Sequence, residues 1–209
     1  MDNNNKFDRL LAEAVLFHGH LCAGQIIGVR IAMLGLRELG ITDPKGEDRK
    51  KLIVFVEIDR CATDAIMTVT GCRVGRRNMK LIDHGKMAAT FVNIETMQAV
   101  RIVSVADARE KAARMYPDLD KSAAQMKAYR EMADSDLFVV QDVTVSLKPE
   151  DLPGPPLGKE ICVECGETVL DRREIRLAGK VLCQRCAGQD HYFEPLAALR
   201  PPLDVRLSG

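Results

Sequence analysis

"AGQIIGVRIAMLGLRELG", residues 23–40, is the stretch on which the reading of the fold turns. Its apolar residues recur at helical spacing and run nearly all the way round, so the helix belongs at the centre of a core. Gly40 supplies its C-terminal stop. Gly24, Gly28, Ala32 and Gly35 fall on one face, in steps of four, four and three. A bare stripe of this kind lets another backbone or a ligand come close. Tight helix packing is the simpler of the two readings.

Working outward, "KFDRLLAEAVLFHGH" (6–20) has helical periodicity through Phe7, Leu10, Leu11, Ala14 and Val15. "KLIVFVEI" (51–58) is a continuous apolar run and reads as a buried strand. "CATDAIMTVTG" (61–71) reads as a short helix. "KMAATFVNI" (86–94) and "QAVRIVSV" (98–105) read as a strand pair. "DAREKAARMY" (107–116) and "DKSAAQMKAYREMADS" (120–135) read as charged helices with apolar stripes. "LFVVQDVTVSL" (137–147) closes the domain as a strand. Helices and strands do not alternate regularly, which predicts an α+β fold over a doubly wound sheet.

"KPEDLPGPPLGKE" (148–160) carries four prolines and two glycines, and proline continues neither a helix nor a central strand. The expected organisation is therefore a core over 1–147, a linker over 148–160, and a small domain with its tail over 161–209. The 209 residues, 46% of them hydrophobic, suffice for one good-sized core plus an appendage. Trp is absent and aromatics are 4%, so aliphatic residues and Met must fill that core. Thirty basic residues cancel thirty acidic ones, giving no general attraction to nucleic acid or anionic membrane. No apolar run approaches the roughly 18 residues of a membrane span, and MDNNNKFDRL lacks a signal-peptide core. The expected location is the cytoplasm, where clustered cysteines bind metal or react more often than they form disulfides.

Four of the seven cysteines form two Cys-x-x-Cys pairs, Cys162/Cys165 and Cys183/Cys186, with 17 residues between them. This spacing is a zinc signature, and four thiolates suit a closed tetrahedral structural site. An iron–sulfur centre is the alternative. Between the pairs, "EIRLAGKVL" reads as a hairpin turning at "AGK". "CQRCAGQDHYF" can start a helix with thiolates at its positive end. Knuckle, hairpin and helix together suggest a treble-clef finger. Residues 161–190 hold five basic and five acidic side chains, so zinc with four thiolates leaves the finger about two units negative. That charge speaks against nucleic acid as the partner and favours a packing or protein-contact role.

Upstream, "FHGHLCAG" (17–24) brings His18, His20 and Cys22 together just before the glycine-striped helix. Gly19 permits a sharp turn, and imidazole is a good ligand for zinc, iron or nickel. Cys61 opens the short helix, and a helix N-terminus favours thiolate. If that helix docks beside the turn, Cys61, Asp64 and Cys72 join the group around one cleft. Taken singly, each has a plainer role: a small buried hydrophobe, a helix cap, first-turn chemistry. "GCRVGRRNMKLIDHGK" (71–86) adds Arg73, Arg76, Arg77, Lys80 and Lys86 against one acid, Asp83. Such a loop either receives an anionic cofactor or substrate or is simply solvated.

These motifs resemble the FmdE family, a group of proteins linked to formylmethanofuran dehydrogenase. The resemblance rests on "FHGHLCAGQIIGVRIAMLGLRELG", "EIDRCATDAIMTVTGCRVGRRNMKLIDHGKMAATF" and the terminal four-cysteine finger, and covers the whole chain. It implies an α+β core, a treble-clef zinc finger and a homodimer. It also implies a cleft lined by His18, His20, Cys22, Cys61, Asp64 and Cys72, with Lys86 nearby. The family's founding association is with a molybdenum enzyme that reduces carbon dioxide onto methanofuran, although many relatives lie outside methane metabolism. Ala23 stands where the family usually has proline, Arg73 replaces threonine, Arg77 a small residue, and His84 a tyrosine. The arginines put inherited ligand specificity in question.

Three functions fit this reading. One is an accessory subunit or metal-handling partner of a molybdenum- or tungsten-type oxidoreductase. It would bind zinc in the finger and a second metal in the cleft, with Arg73, Arg77 and Lys86 receiving an anionic small molecule. The second is a free-standing enzyme with Cys22 or Cys61 as nucleophile and Asp64 as orienter. The third is a regulatory zinc-finger protein.

Overall fold

In the computed structural model, which describes residues 3–189 and 192–193, the glycine-striped segment forms a 16-residue helix, α2 (Ala23–Glu38). It follows α1 (Asn3–His18) after four residues. At its end Gly40 is left-handed (φ +64°). The amide of Gly40 reaches the Arg37 carbonyl (3.1 Å) and that of Ile41 the Leu36 carbonyl (2.9 Å), the paired bonds of a Schellman stop. The stripe is a packing surface. A Cβ on Gly28 would lie 2.7 Å from Ala62 Cα and strike the Ala62 carbonyl; one on Gly24 would lie 3.0 Å from Cys61 Cβ. Farther along, a Cβ on Gly35 would lie 2.6 Å from Phe91 Cε2. The first two contacts are with α3 (Cys61–Thr70), the third with the central strand of the sheet.

The sheet has strands β1 (Leu52–Val56), β2 (Met79–Leu81), β3 (Ala88–Asn93), β4 (Ala99–Ser104) and β5 (Phe138–Asp142), in the order β2-β1-β3-β4-β5. Only the β1–β2 pair is parallel; the other three are antiparallel. Val54 faces Phe91, which faces Val100, while Val56 faces Ala89, which faces Ile102. All six are buried and share the sheet face on which α2 packs. The chain is thus α+β, as the irregular order of elements predicts. The short edge strand β2 lies inside the segment read as a basic loop. Three residues with one buried side chain, Met79, carry too little periodicity to show in sequence.

The remaining helices are α4 (Ala108–Met115), α5 (Lys121–Glu131) and α6 (Asp134–Leu137). Asp120 caps α5 by accepting from the amides of Ser122 and Ala123. Arg30 of α2 holds the other end of α5, donating to the carbonyls of Tyr129 (2.8 Å) and Met132 (2.7 Å) and to Asp134 (2.6 Å). After β5 the chain returns towards the β2 side of the sheet, where Arg77 donates to the carbonyl of Glu150. Along this return Val143, Val145 and Leu147 are half-buried and alternate with exposed Thr144, Ser146 and Lys148.

The chain forms two compact units, Met1–Gly154 and Pro155–Gly209. The second contains two hairpins, β6 (Lys159–Ile161) with β7 (Thr168–Leu170) and β8 (Ile175–Leu177) with β9 (Lys180–Leu182). The β8–β9 turn is at Ala178–Gly179, both left-handed, within the expected "AGK". The helix expected from Cys183 onward is absent among the described residues: 183–189 form a single turn, closed by left-handed Gly188 (φ +77°). Residues 190–191 of that stretch and the tail at 194–209 lie outside the described residues. No helix among the described residues is long and apolar enough to cross a membrane.

One polar pair is set into the sheet. Glu57, 7% exposed, accepts from Arg101 Nε (2.6 Å) and Nη2 (2.8 Å), with His84 Nδ1 at 3.6 Å. The Arg101 guanidinium holds the Glu57 carboxyl below its ordinary range, against the opposing effect of burial. A depressed carboxyl stabilises the fold above its unfolded pKa, and that contribution is lost as pH falls through the folded value.

Two outcomes follow for stability. Gly28→Ala will lower unfolding free energy by about 1–2 kcal/mol in urea titrations despite alanine's better helix propensity, because the new methyl meets backbone that cannot yield. Glu57→Gln will cost about 2 kcal/mol at pH 7 by leaving Arg101 unpaired. The gap between variant and native protein will close as pH is taken below about 4.3, measured by denaturation at stepped pH.

Candidate metal centre

α1 ends and α2 begins within the HGHLC segment, and this sets the site. Gly19 adopts φ +94° and its amide closes α1 onto the Val15 carbonyl (2.8 Å). That turn places the His18 and His20 rings 4.6 Å apart. Cys22 is the extended residue preceding α2. One ligand atom from each of His18, His20 and Cys22 lies within 4.8 Å of the others.

α3 brings the next residues. The close approach at Gly24 puts Cys61 beside Cys22, and the first turn of α3 carries Asp64 to His18, Nδ1 to Oδ2, at 2.8 Å. A carboxylate accepts, so His18 carries its proton on Nδ1 and presents Nε2 as a lone pair. Nε2 is buried and has no hydrogen-bond partner. A buried imidazole nitrogen facing a second imidazole and a thiol, with a carboxylate fixing its tautomer, is the donor arrangement of a metal ligand with its orienting neighbour. His18, Cys61 and Asp64 also line a cavity of about 460 Å³ whose apolar walls include Val56, Val74 and Met79.

Cys61 lies at the start of α3, where thiolate is expected. Burial and the adjacent Cys22 sulfur instead hold its thiol above the ordinary cysteine range. Cys72 is not brought to the group. It is 1% exposed in the core, its thiol lies 3.9 Å from the Leu52 carbonyl, and burial pushes it up to about 11. Nor do the basic residues converge on the cavity. Arg73 stacks over the Phe17 ring at 5.5 Å, Arg77 is engaged with the Glu150 carbonyl, and Lys86 is exposed. Gln25 belongs to none of the sequence motifs. It is fully buried, and its amide donates to the Cys61 carbonyl at 2.6 Å, fixing where α3 begins. A lone glutamine amid the apolar first turns of α2 is the signal that could have found it.

In the second unit the four cysteine sulfurs lie within 4.8 Å of one another. Left-handed Gly166 turns the first pair, with its amide on the Cys162 carbonyl (2.9 Å). Amide groups of Cys165 and Cys183 stabilise the Cys162 thiolate and lower it to about 6. Its neighbour Cys186 is pushed up to about 12, chiefly by the adjacent Cys183. Four thiols this close cannot all ionise without a cation between them, so the cluster is built to bind a metal ion.

Comparison with known proteins agrees with this architecture. The profile of the family described as "FmdE, Molybdenum formylmethanofuran dehydrogenase operon" matches residues 17–144, more than half of the chain. A probable S-adenosyl-L-methionine-binding protein of Archaeoglobus fulgidus is 26% identical over 205 residues. The match takes in 88% of this chain and 54% of that relative, so the chain spans about half the relative's length. A crystal structure of an FmdE-like protein of tungsten formylmethanofuran dehydrogenase, from Syntrophus aciditrophicus, superposes with a TM-score of 0.60. It shares 22% identity, over 90% of this chain and 95% of that one, and so attests the fold. With the HGH-x-C turn, the docked Cys61 helix and the mixed sheet all inside the matched span, the chain belongs to the FmdE family.

Proposed function

We propose that this protein is a metal-binding accessory subunit or metal-handling partner of a molybdenum- or tungsten-type oxidoreductase. In this reading it acts in the cytoplasm as a homodimer. The observation that carries the metal reading is the orphaned, buried Nε2 of His18, set beside His20 and Cys22 with Asp64 on the opposite ring nitrogen. His18, His20 and Cys22 would hold the ion, with Cys61 as the adjoining thiol. A metal bound there would supply Lewis-acid or redox chemistry. Asp64 keeps the His18 proton on Nδ1, and the apolar walls of the neighbouring cavity limit water around the site.

The four-cysteine cluster is read as a structural zinc site in a treble-clef finger, since four thiolates leave no open position for substrate. The oxidoreductase partner rests on the family's description and on the tungsten enzyme for which the Syntrophus protein is named. The relative's S-adenosyl-L-methionine is not carried over, because half of that protein has no counterpart here. A metal-free cysteine enzyme is less well supported: a nucleophilic thiol needs a lowered pKa, and Cys61 is shifted the other way.

Metal content per chain, measured by plasma mass spectrometry on protein purified without added metal or chelator, tests this. The native protein will carry two ions, and His20→Ala with Cys22→Ala will carry one, the finger's. A native protein with a single ion removes the core centre. Asp64→Asn will weaken core metal binding by about 10- to 100-fold in chelator competition, while the finger ion keeps its affinity.

A further inference from the structure

A separate cavity of 270 Å³ opens between the first turn of α2, the end of β4, and helices α4 and α5. Four polar side chains line it: Ser104, Arg109, Gln125 and Tyr129. None of the four makes a side-chain hydrogen bond or ion pair among the described residues. Tyr129 is the most telling of them. It is 4% exposed, so its hydroxyl has left bulk water without gaining a protein partner. That oxygen is not among the fully sealed partnerless atoms, so the little exposure it keeps opens onto the cavity it lines. A buried hydroxyl left unpaired costs free energy that a ligand can return.

The charge in the cavity has one sign. Arg109 stands at the mouth, exposed and unpaired, and no carboxylate lines the wall. Ala23 and Gly24 bring the N-terminal end of α2, which has no side-chain cap and no acid in its first turn. A 16-residue helix directs roughly half a positive charge there. Ile27, Met87 and Val105 supply an apolar strip beside these donors. The volume is just below the roughly 300–1,000 Å³ typical of pockets for larger ligands.

We propose that this cavity binds a small organic carboxylate. The guanidinium of Arg109 takes the carboxylate, the Tyr129 hydroxyl donates to it, and a short aliphatic body lies along Ile27, Met87 and Val105. A planar fork matches a carboxylate in both charge and shape, and one full cation with neutral donors suits a monoanion. The site shares only the first turn of α2 with the metal centre and does not depend on a metal being there.

The test is titration of the full-length protein with butyrate, and separately with inorganic phosphate, by calorimetry and ligand-observed NMR. Butyrate will bind one to one. Arg109→Gln will weaken it at least about tenfold, and Tyr129→Phe about three- to tenfold. Arg109 is exposed, so its variant removes the charge without disturbing the core. Cys22→Ala will bind butyrate as the native protein does, which separates this site from the metal centre. Equal butyrate affinity in native protein and Arg109→Gln overturns the proposal. So does phosphate binding tighter than butyrate, or loss of butyrate binding in Cys22→Ala but not in Arg109→Gln.

Discussion

The first unit depends on how closely two helix backbones can approach. Gly24 and Gly28 bring α2 against α3 at a distance no larger residue permits, Gly28 meeting Ala62 and Gly24 meeting Cys61. Everything at the centre follows from that contact. Cys61 reaches Cys22 because both stand where these helices start, and Asp64 reaches His18 because it lies in the first turn of α3. Buried Gln25 then locks the junction through the Cys61 carbonyl. The stripe that first reads as a packing device also sets the geometry of the site.

Much of this is legible in the chain. The apolar periodicity of 23–40 and the unbroken run 52–56 announce a central helix and a buried strand, because burial on all sides leaves a dense pattern. The HGH-x-C turn is legible for a similar reason, since its donors sit within five residues and need no long-range contact to meet. What lies beyond reading is decided by tertiary placement. Cys72 and Cys61 look alike in sequence, yet Cys72 falls on the core side of the turn after α3 and Cys61 on the open side. Arg77 looks like an anion ligand until the chain's return from β5 brings the Glu150 carbonyl to it. Glu57 and Arg101 are 44 residues apart and meet only because β1 and β4 both flank β3.

The polar groups around α2 fall into two kinds. At Glu57 and Arg30 every charge is answered within the protein, by Arg101 in the first case and by the closing carbonyls of α5 in the second. Those pairings hold the structure together. Around His18 and around Tyr129, buried polar atoms are left unanswered while their neighbours are held firmly in place. Folded proteins rarely tolerate such atoms without a use. Both sets lie near the N-terminal end of one helix, on different sides of it, so α2 organises both recognition surfaces.

The shortness of the HGH-x-C turn has a consequence for energetics. An ion stabilises a fold only to the extent that it prefers the folded chain to the unfolded one. His18, His20 and Cys22 remain neighbours when the chain is denatured, so a thiophilic ion keeps much of its coordination there. The finger's two cysteine pairs lie 17 residues apart and lose one another on unfolding. Of two ions held with equal affinity by the native protein, the one in the finger therefore contributes more to holding it folded.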